Sequence, residues 1–141
     1  MTSEKQPNFT GIWRMNLAKS IMHGDAPAEV VMNIVHDEPT LLQHVMYRRK
    51  DGNEDRLTFT YKIGAEVMNA LRGMPMLTLA RWQETELIIE GVVRTPGKDL
   101  RFSDHWSLSD NRATLTMSHP DDDLAGQISV LERVSSADQS A

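Results

Sequence analysis

The 141-residue sequence contains no cysteine, which excludes disulfides, thiolate nucleophiles and cysteine-held metals. A thiol-free chain makes the reducing cytoplasm the expected compartment. No apolar run approaches the roughly 18 residues of a membrane-crossing helix, so no membrane association is expected. The opening residues MTSEKQPNFT also lack the charged-then-apolar pattern of a secretory signal. Positive charge is scarce: 15 Lys and Arg against 20 Asp and Glu leave a net charge of −5, and the longest basic block is Arg48-Arg49-Lys50. Such a surface lacks the footprint of a nucleic-acid binder. P-loop and dinucleotide glycine patterns are missing, as are the G-x-S-x-G elbow and H-x-H or E-x-x-H spacings. Neither cofactor nor metal is therefore expected.

What is present is a β pattern of ordinary composition, 40% apolar and 25% charged, long enough for one self-sufficient core. Polar tails at 1–8 and 135–141 frame a domain at 9–134. Within it, turn signals recur about every eight to twelve residues, the spacing of an all-β sandwich or barrel. Strands are expected at about 9–17, 29–37, 40–50, 55–62, 66–71, 76–83, 86–94, 99–108, 113–118 and 127–134. The connection from Ala18 to Ala28 has room for a short helix or lid.

Two hairpins fix a register. A two-residue Pro96-Gly97 loop sets Leu87 opposite Trp106, Ile89 opposite Asp104, Gly91 opposite Phe102 and Val93 opposite Leu100. A two-residue Asp110-Asn111 loop then sets Asp104 opposite Met117 and Phe102 opposite His119. Both choices gather Leu87, Ile89, Leu100, Phe102, Trp106 and Met117 on one dry face. Arg94, Asp99, Arg101, Ser103, His105 and Ser107 fall on the other, wet face.

The first strand reads Phe9-Thr10-Gly11-Ile12-Trp13, and the last ends Leu131-Glu132-Arg133-Val134. A G-x-W opening with a terminal-strand arginine resembles the calycin group, the lipocalins and fatty-acid-binding proteins. The run from Trp106-Ser107-Leu108-Ser109 to Thr114-Leu115-Thr116 is similar to bacterial lipocalin-like domains, with Asn111 where glycine is expected. The resemblance implies an all-β fold: a single antiparallel up-and-down barrel of about eight to ten strands, lipocalin-like, with a cup for a small molecule. It further implies that Arg133 packs over Trp13 at the closed end. The Arg-x-Tyr carboxylate clamp of fatty-acid-binding proteins is missing, since Ser129 and Leu131 occupy the matching positions.

Asp104 is the most informative polar residue, a carboxylate on the dry face between Phe102 and Trp106. His119 is its diagonal neighbour, and together they form a candidate acid–base pair or a buried structural anchor. Tyr61, Trp82, Ile89, Phe102, Trp106 and Met117 are the expected ligand-lining residues. A two-residue Glu84-Thr85 turn points Trp82 inward, whereas one more loop residue would bring in Arg81. The facing of His36 and His44 is open, although pairing around Glu38-Pro39 sets His44 opposite Asn33. Nine methionines suit either a permissive pocket or a core. His23 and Asp121-Asp122-Asp123 read as ordinary surface. The expected partner is a small apolar or aromatic ligand. The alternative is an isomerase, cyclase or lyase that uses Asp104 and His119.

Overall fold

The structure, a computed structural model, describes residues 6–22, 26–119 and 127–134. The expected His23 and Asp121–Asp123 surface, the C-terminal tail and most of the N-terminal tail lie outside the described residues. Ten strands are formed among the described residues: β1 Gly11–Met15, β2 Glu29–Asp37, β3 Thr40–Arg48, β4 Glu54–Lys62, β5 Glu66–Leu71, β6 Met74–Gln83, β7 Glu86–Thr95, β8 Lys98–Leu108, β9 Thr114–Ser118 and β10 Ile128–Arg133. They make one antiparallel sheet in the order β4-β3-β2-β1-β10-β9-β8-β7-β6-β5. Because β1 pairs with both β2 and β10, first and last strands meet and the sheet curls into a nearly closed up-and-down barrel. The seam lies between β4 and β5. There the Asn69 side chain takes the place of a ladder partner, accepting from Thr60 N at 2.8 Å and donating to Thr60 O at 2.8 Å.

Alternation along the strands explains which face is dry. Val30, Met32, Ile34 and His36 of β2 are buried inward, as are Leu41, Gln43 and Val45 of β3. The Pro96-Gly97 turn gives the expected β7–β8 register, including Ile89↔Asp104 and Gly91↔Phe102. A Cβ on Gly91 would lie 2.3 Å from the Phe102 ring, so the absent side chain makes room for the aromatic.

The β8–β9 loop corrects the sequence reading. Trp106 pairs with Met117 and Leu108 with Leu115, a register slipped by two residues from the expected one. The Asn111 side chain accepts from Ser109 Oγ and Ala113 N, while Arg112 takes a left-handed φ of 60°. These contacts hold a longer loop than Asp110-Asn111 alone, closed by Ser109 N donating to Thr114 O at 2.9 Å. An even slip preserves facing, so the dry face survives the correction.

One smaller expectation also changes. The described part of the 18–28 connection is no helix; it is a turn followed by an Ile21↔Ile128 bridge. Met68 points outward and is 60% exposed, and Met46 lies on the outer face of β3. Among the described residues no helix is long and apolar enough to cross a membrane.

Candidate functional site

One end of the barrel is plugged by rings. Phe9, fully buried, stacks on His36 at 5.7 Å and on Trp82 at 6.0 Å, and meets the Trp106 edge at 5.6 Å. His36 Nδ1 accepts from Phe9 N at 3.1 Å, while His36 Nε2 lies 2.7 Å from Glu38 Oε1. An acceptor at Nδ1 and a carboxylate at Nε2 assign the neutral Nε2–H tautomer. Below them Trp13 is fully buried, and its indole donates to Phe9 O at 3.0 Å. Toward the opposite end, Leu57, Leu71, Met74, Leu100 and Phe102 pack on the core but remain partly exposed, marking the mouth.

Between plug and mouth sits the polar constellation. Strand alternation puts Asp104 inward beside Trp106, whose Nε1 donates to Asp104 Oδ2 at 2.8 Å. The corrected register brings His119 one step beyond the His105↔Ser118 pair, directly across from Asp104 instead of diagonal to it. His119 Nε2 is 3.7 Å from Asp104 Oδ1, and His119 Nδ1 is 3.2 Å from Ser103 O. Both side chains are mostly buried, at 13% exposure for His119 and 19% for Asp104. A backbone carbonyl only accepts, so Nδ1 carries a proton. The Nε2–Oδ1 separation is that of an ion-pair contact, longer than a hydrogen bond. The arrangement therefore sets an imidazole beside a carboxylate on an apolar wall.

Tyr61 joins from β4. Its ring meets Trp106 edge-on at 6.3 Å, and its hydroxyl donates to Gln43 Oε1 at 3.0 Å. Burial first, and the negative charge of Asp104 second, push the phenol pKa far above its ordinary value. Tyr61 is thus a permanent donor, not an acid. Gln43 in turn donates to Met32 Sδ at 3.4 Å.

The expected site residues consequently divide. Asp104, His119, Trp106 and Tyr61 come together, and Ile89 pairs with Asp104 on the same inner wall. Met117 lies beside them, inward and opposite Trp106. Phe102 stands nearer the mouth over Gly91, whereas Trp82 belongs to the plug. The Glu84-Thr85 turn indeed pairs Trp82 with Leu87, leaving Arg81 outside at 3.6 Å from Glu90. His36 faces in. His44, opposite Asn33 as expected, faces out toward Thr58. The sequence reading missed Phe9, Gln43 and Asn69. Gln43 and Asn69 had a legible signal, each being a lone amide inside an alternating apolar run.

A groove of about 740 Å³ lies on the outer face of β6–β8, lined by Leu77, Leu79, Glu90, Val92, Arg101 and Ser103 among others. Another, of about 550 Å³, lies beside the mouth at Pro27 and Tyr47. Neither is lined by Asp104 or His119.

No family model matches the chain, and no curated protein matches it either. Solved structures do. Secretory abundant heat soluble protein 4 from Ramazzottius varieornatus superposes with a TM-score of 0.63 at 13% identity, over 94% of this chain and 100% of that one. The fluorescent protein UnaG gives 0.61 at 14% identity, over 89% of this chain and 97% of that one. A Schistosoma mansoni fatty acid binding protein in complex with arachidonic acid gives 0.58 at 12% identity, over 90% and 96%. The chain shares the up-and-down barrel fold of these structures, the fold that the G-x-W opening and the terminal arginine imply.

Proposed function

We propose that the barrel binds a small apolar or aromatic molecule, its body against Phe102, Ile89 and Met117 and its polar end at Asp104 and His119. The observation that carries this reading is the Asp104–His119–Trp106 cluster on the inner wall. A carboxylate placed on such a wall costs several kcal/mol unless donors meet it; Trp106 on β8 supplies one, and His119, just beyond β9, stands 3.7 Å away. The fatty acid binding protein with arachidonic acid supports the class of ligand through shared architecture. The interior charge favours a different headgroup. Without the Arg-x-Tyr clamp, and with an acid in the wall, the site suits a hydrogen-bond donor or an amine better than a carboxylate.

The test is a titration with neutral Nile red followed by displacement with an aromatic amine and, separately, a fatty acid. Saturable uptake with tryptophan quenching and better displacement by the amine is the expected result. Asp104→Asn should erase the preference for the amine while retaining the dye. No saturable uptake of any probe would overturn the reading.

A second reading uses the same residues as an acid–base pair for isomerase, cyclase or lyase chemistry, with Asp104 as base and His119 as its partner. It is favoured by the approach of His119 Nε2 to within 3.7 Å of Asp104 Oδ1. On that reading Asp104→Asn retains binding and lowers turnover by about 10²–10⁴.

A further inference from the structure

Strand β8 carries a second arrangement on its opposite, outer face. Ser103 Oγ lies 3.2 Å from His105 Nε2, and His105 Nδ1 lies 3.0 Å from Glu86 Oε1. A carboxylate only accepts, so Nδ1 bears the proton, and in the neutral imidazole Nε2 is then the acceptor for the serine hydroxyl. Strand pairing places these side chains within reach of one another. Ser103 and His105 are two residues apart on one strand and share a face, while Ile88 pairs with His105 and sets Glu86 diagonally within reach. His105 is 17% exposed, held by its two neighbours, and Glu86 is 37% exposed.

We propose that Ser103, His105 and Glu86 form a nucleophilic triad on the outside of the barrel, acting on neutral carboxylic esters. The order nucleophile, base, orienting acid is what acyl transfer requires, and such triads are recognised by geometry instead of by sequence order. An independent feature supplies room for a substrate. Ser103 lines the outer groove of about 740 Å³, whose floor includes Leu77, Leu79 and Val92. These side chains accept an apolar acyl group. Arg101, exposed and two residues before Ser103 on the same row, brings positive charge to a developing oxyanion. Glu66, Glu90 and Asp99 on the same groove disfavour anionic substrates.

In the first half-reaction Ser103 Oγ bonds to the ester carbonyl carbon while its proton passes to His105 Nε2. The carbon–alkoxy bond then breaks, and His105 returns the proton to the departing alcohol. Water repeats the sequence on the acyl-serine, releasing the carboxylic acid and restoring Ser103.

The experiment is covalent trapping of the whole chain with a neutral alkyl fluorophosphonate, read by intact mass and peptide mapping, beside hydrolysis of p-nitrophenyl butyrate. Expected are one phosphonyl group on Ser103, none in Ser103→Ala, and labelling and hydrolysis both lowered about 10²–10⁴-fold in His105→Gln. Glu86→Gln should give a smaller drop, and Ser107→Ala, on the same face but outside the triad, none. Tryptophan emission and denaturant midpoint check that each variant keeps the barrel. Label elsewhere, no label, or Ser103 labelling indifferent to His105→Gln would overturn the proposal. Inner-barrel dye uptake is read separately, so failure of either site leaves the other measurable.

Discussion

The Arg133 guanidinium lies over the Trp13 ring, with its Cζ 4.3 Å from the ring centroid. The two residues are register partners in the β1–β10 pair that closes the barrel. Arg133 also donates from Nη1 to Thr10 O at 2.8 Å and from Nε to Arg112 O at 3.1 Å. One side chain thereby ties the first strand, the last strand and the β8–β9 loop together. Gly11 makes the approach possible, because a Cβ there would stand 2.5 Å from Arg133 Nη1.

Removing the ring should unseat this end. Trp13→Ala is expected to lose about 3–5 kcal/mol, measured from urea midpoints. A midpoint within error of wild type would contradict the closure described above.

Gly11→Ala should cost about 1–3 kcal/mol by forcing the guanidinium off the ring. In an Arg133→Ala background part of that penalty should vanish, since the clashing group is gone. A double-mutant cycle with no coupling would show that the glycine serves backbone conformation alone.

Asn69 predicts the behaviour of the seam. Its amide meets Thr60 N and O and also donates to Thr78 Oγ1 at 3.2 Å. Asn69→Ala leaves those groups without this partner, so a loss of about 1–3 kcal/mol is expected. Amide exchange should quicken at Thr60 while the β7–β8 ladder stays protected. Uniform exchange across both regions would argue against a local seam.

Tyr61 sets an alkaline limit. Its folded pKa is raised above the unfolded value of about 10, so its stabilisation is fully present below that pH. As pH rises beyond about 10 the unfolded chain loses the phenol proton first, and stability falls progressively. Tyr61→Phe should flatten that fall, at a loss of about 1 kcal/mol near neutrality for the Gln43 hydrogen bond. Parallel alkaline curves for the two proteins would remove Tyr61 as the cause.

Much of this architecture was legible from local rules. Pro96-Gly97 and Glu84-Thr85 specify short turns, and two-residue alternation carries their registers along β6, β7 and β8. The Trp13–Arg133 contact followed from the calycin resemblance and is present. The β8–β9 loop was misread because its closure depends on side chains: Ser109 and Asn111 bond within the loop, and Arg112 adopts the positive φ usually given to glycine. That two-residue slip is what moved His119 from diagonal to directly across from Asp104. Phe9 was read as part of the first strand, yet it lies before β1 and fills the barrel end, a tertiary choice no periodicity encodes. The Ser103–His105–Glu86 cluster is not legible in the sequence, because Ser103 and His105 are ordinary wet-face residues there and Glu86 reaches His105 only across the β7–β8 pair.

Ligand uptake inside the barrel is tested most directly by its methionines. With methyl-labelled methionine, saturating Nile red should shift the methyl resonance of Met117, inward and beside Trp106, and that of Met74 at the mouth. Met68, on the outer face and 60% exposed, should not move. Shifts at Met68 with Met117 unmoved would place the ligand on the outside of the barrel and contradict an interior site.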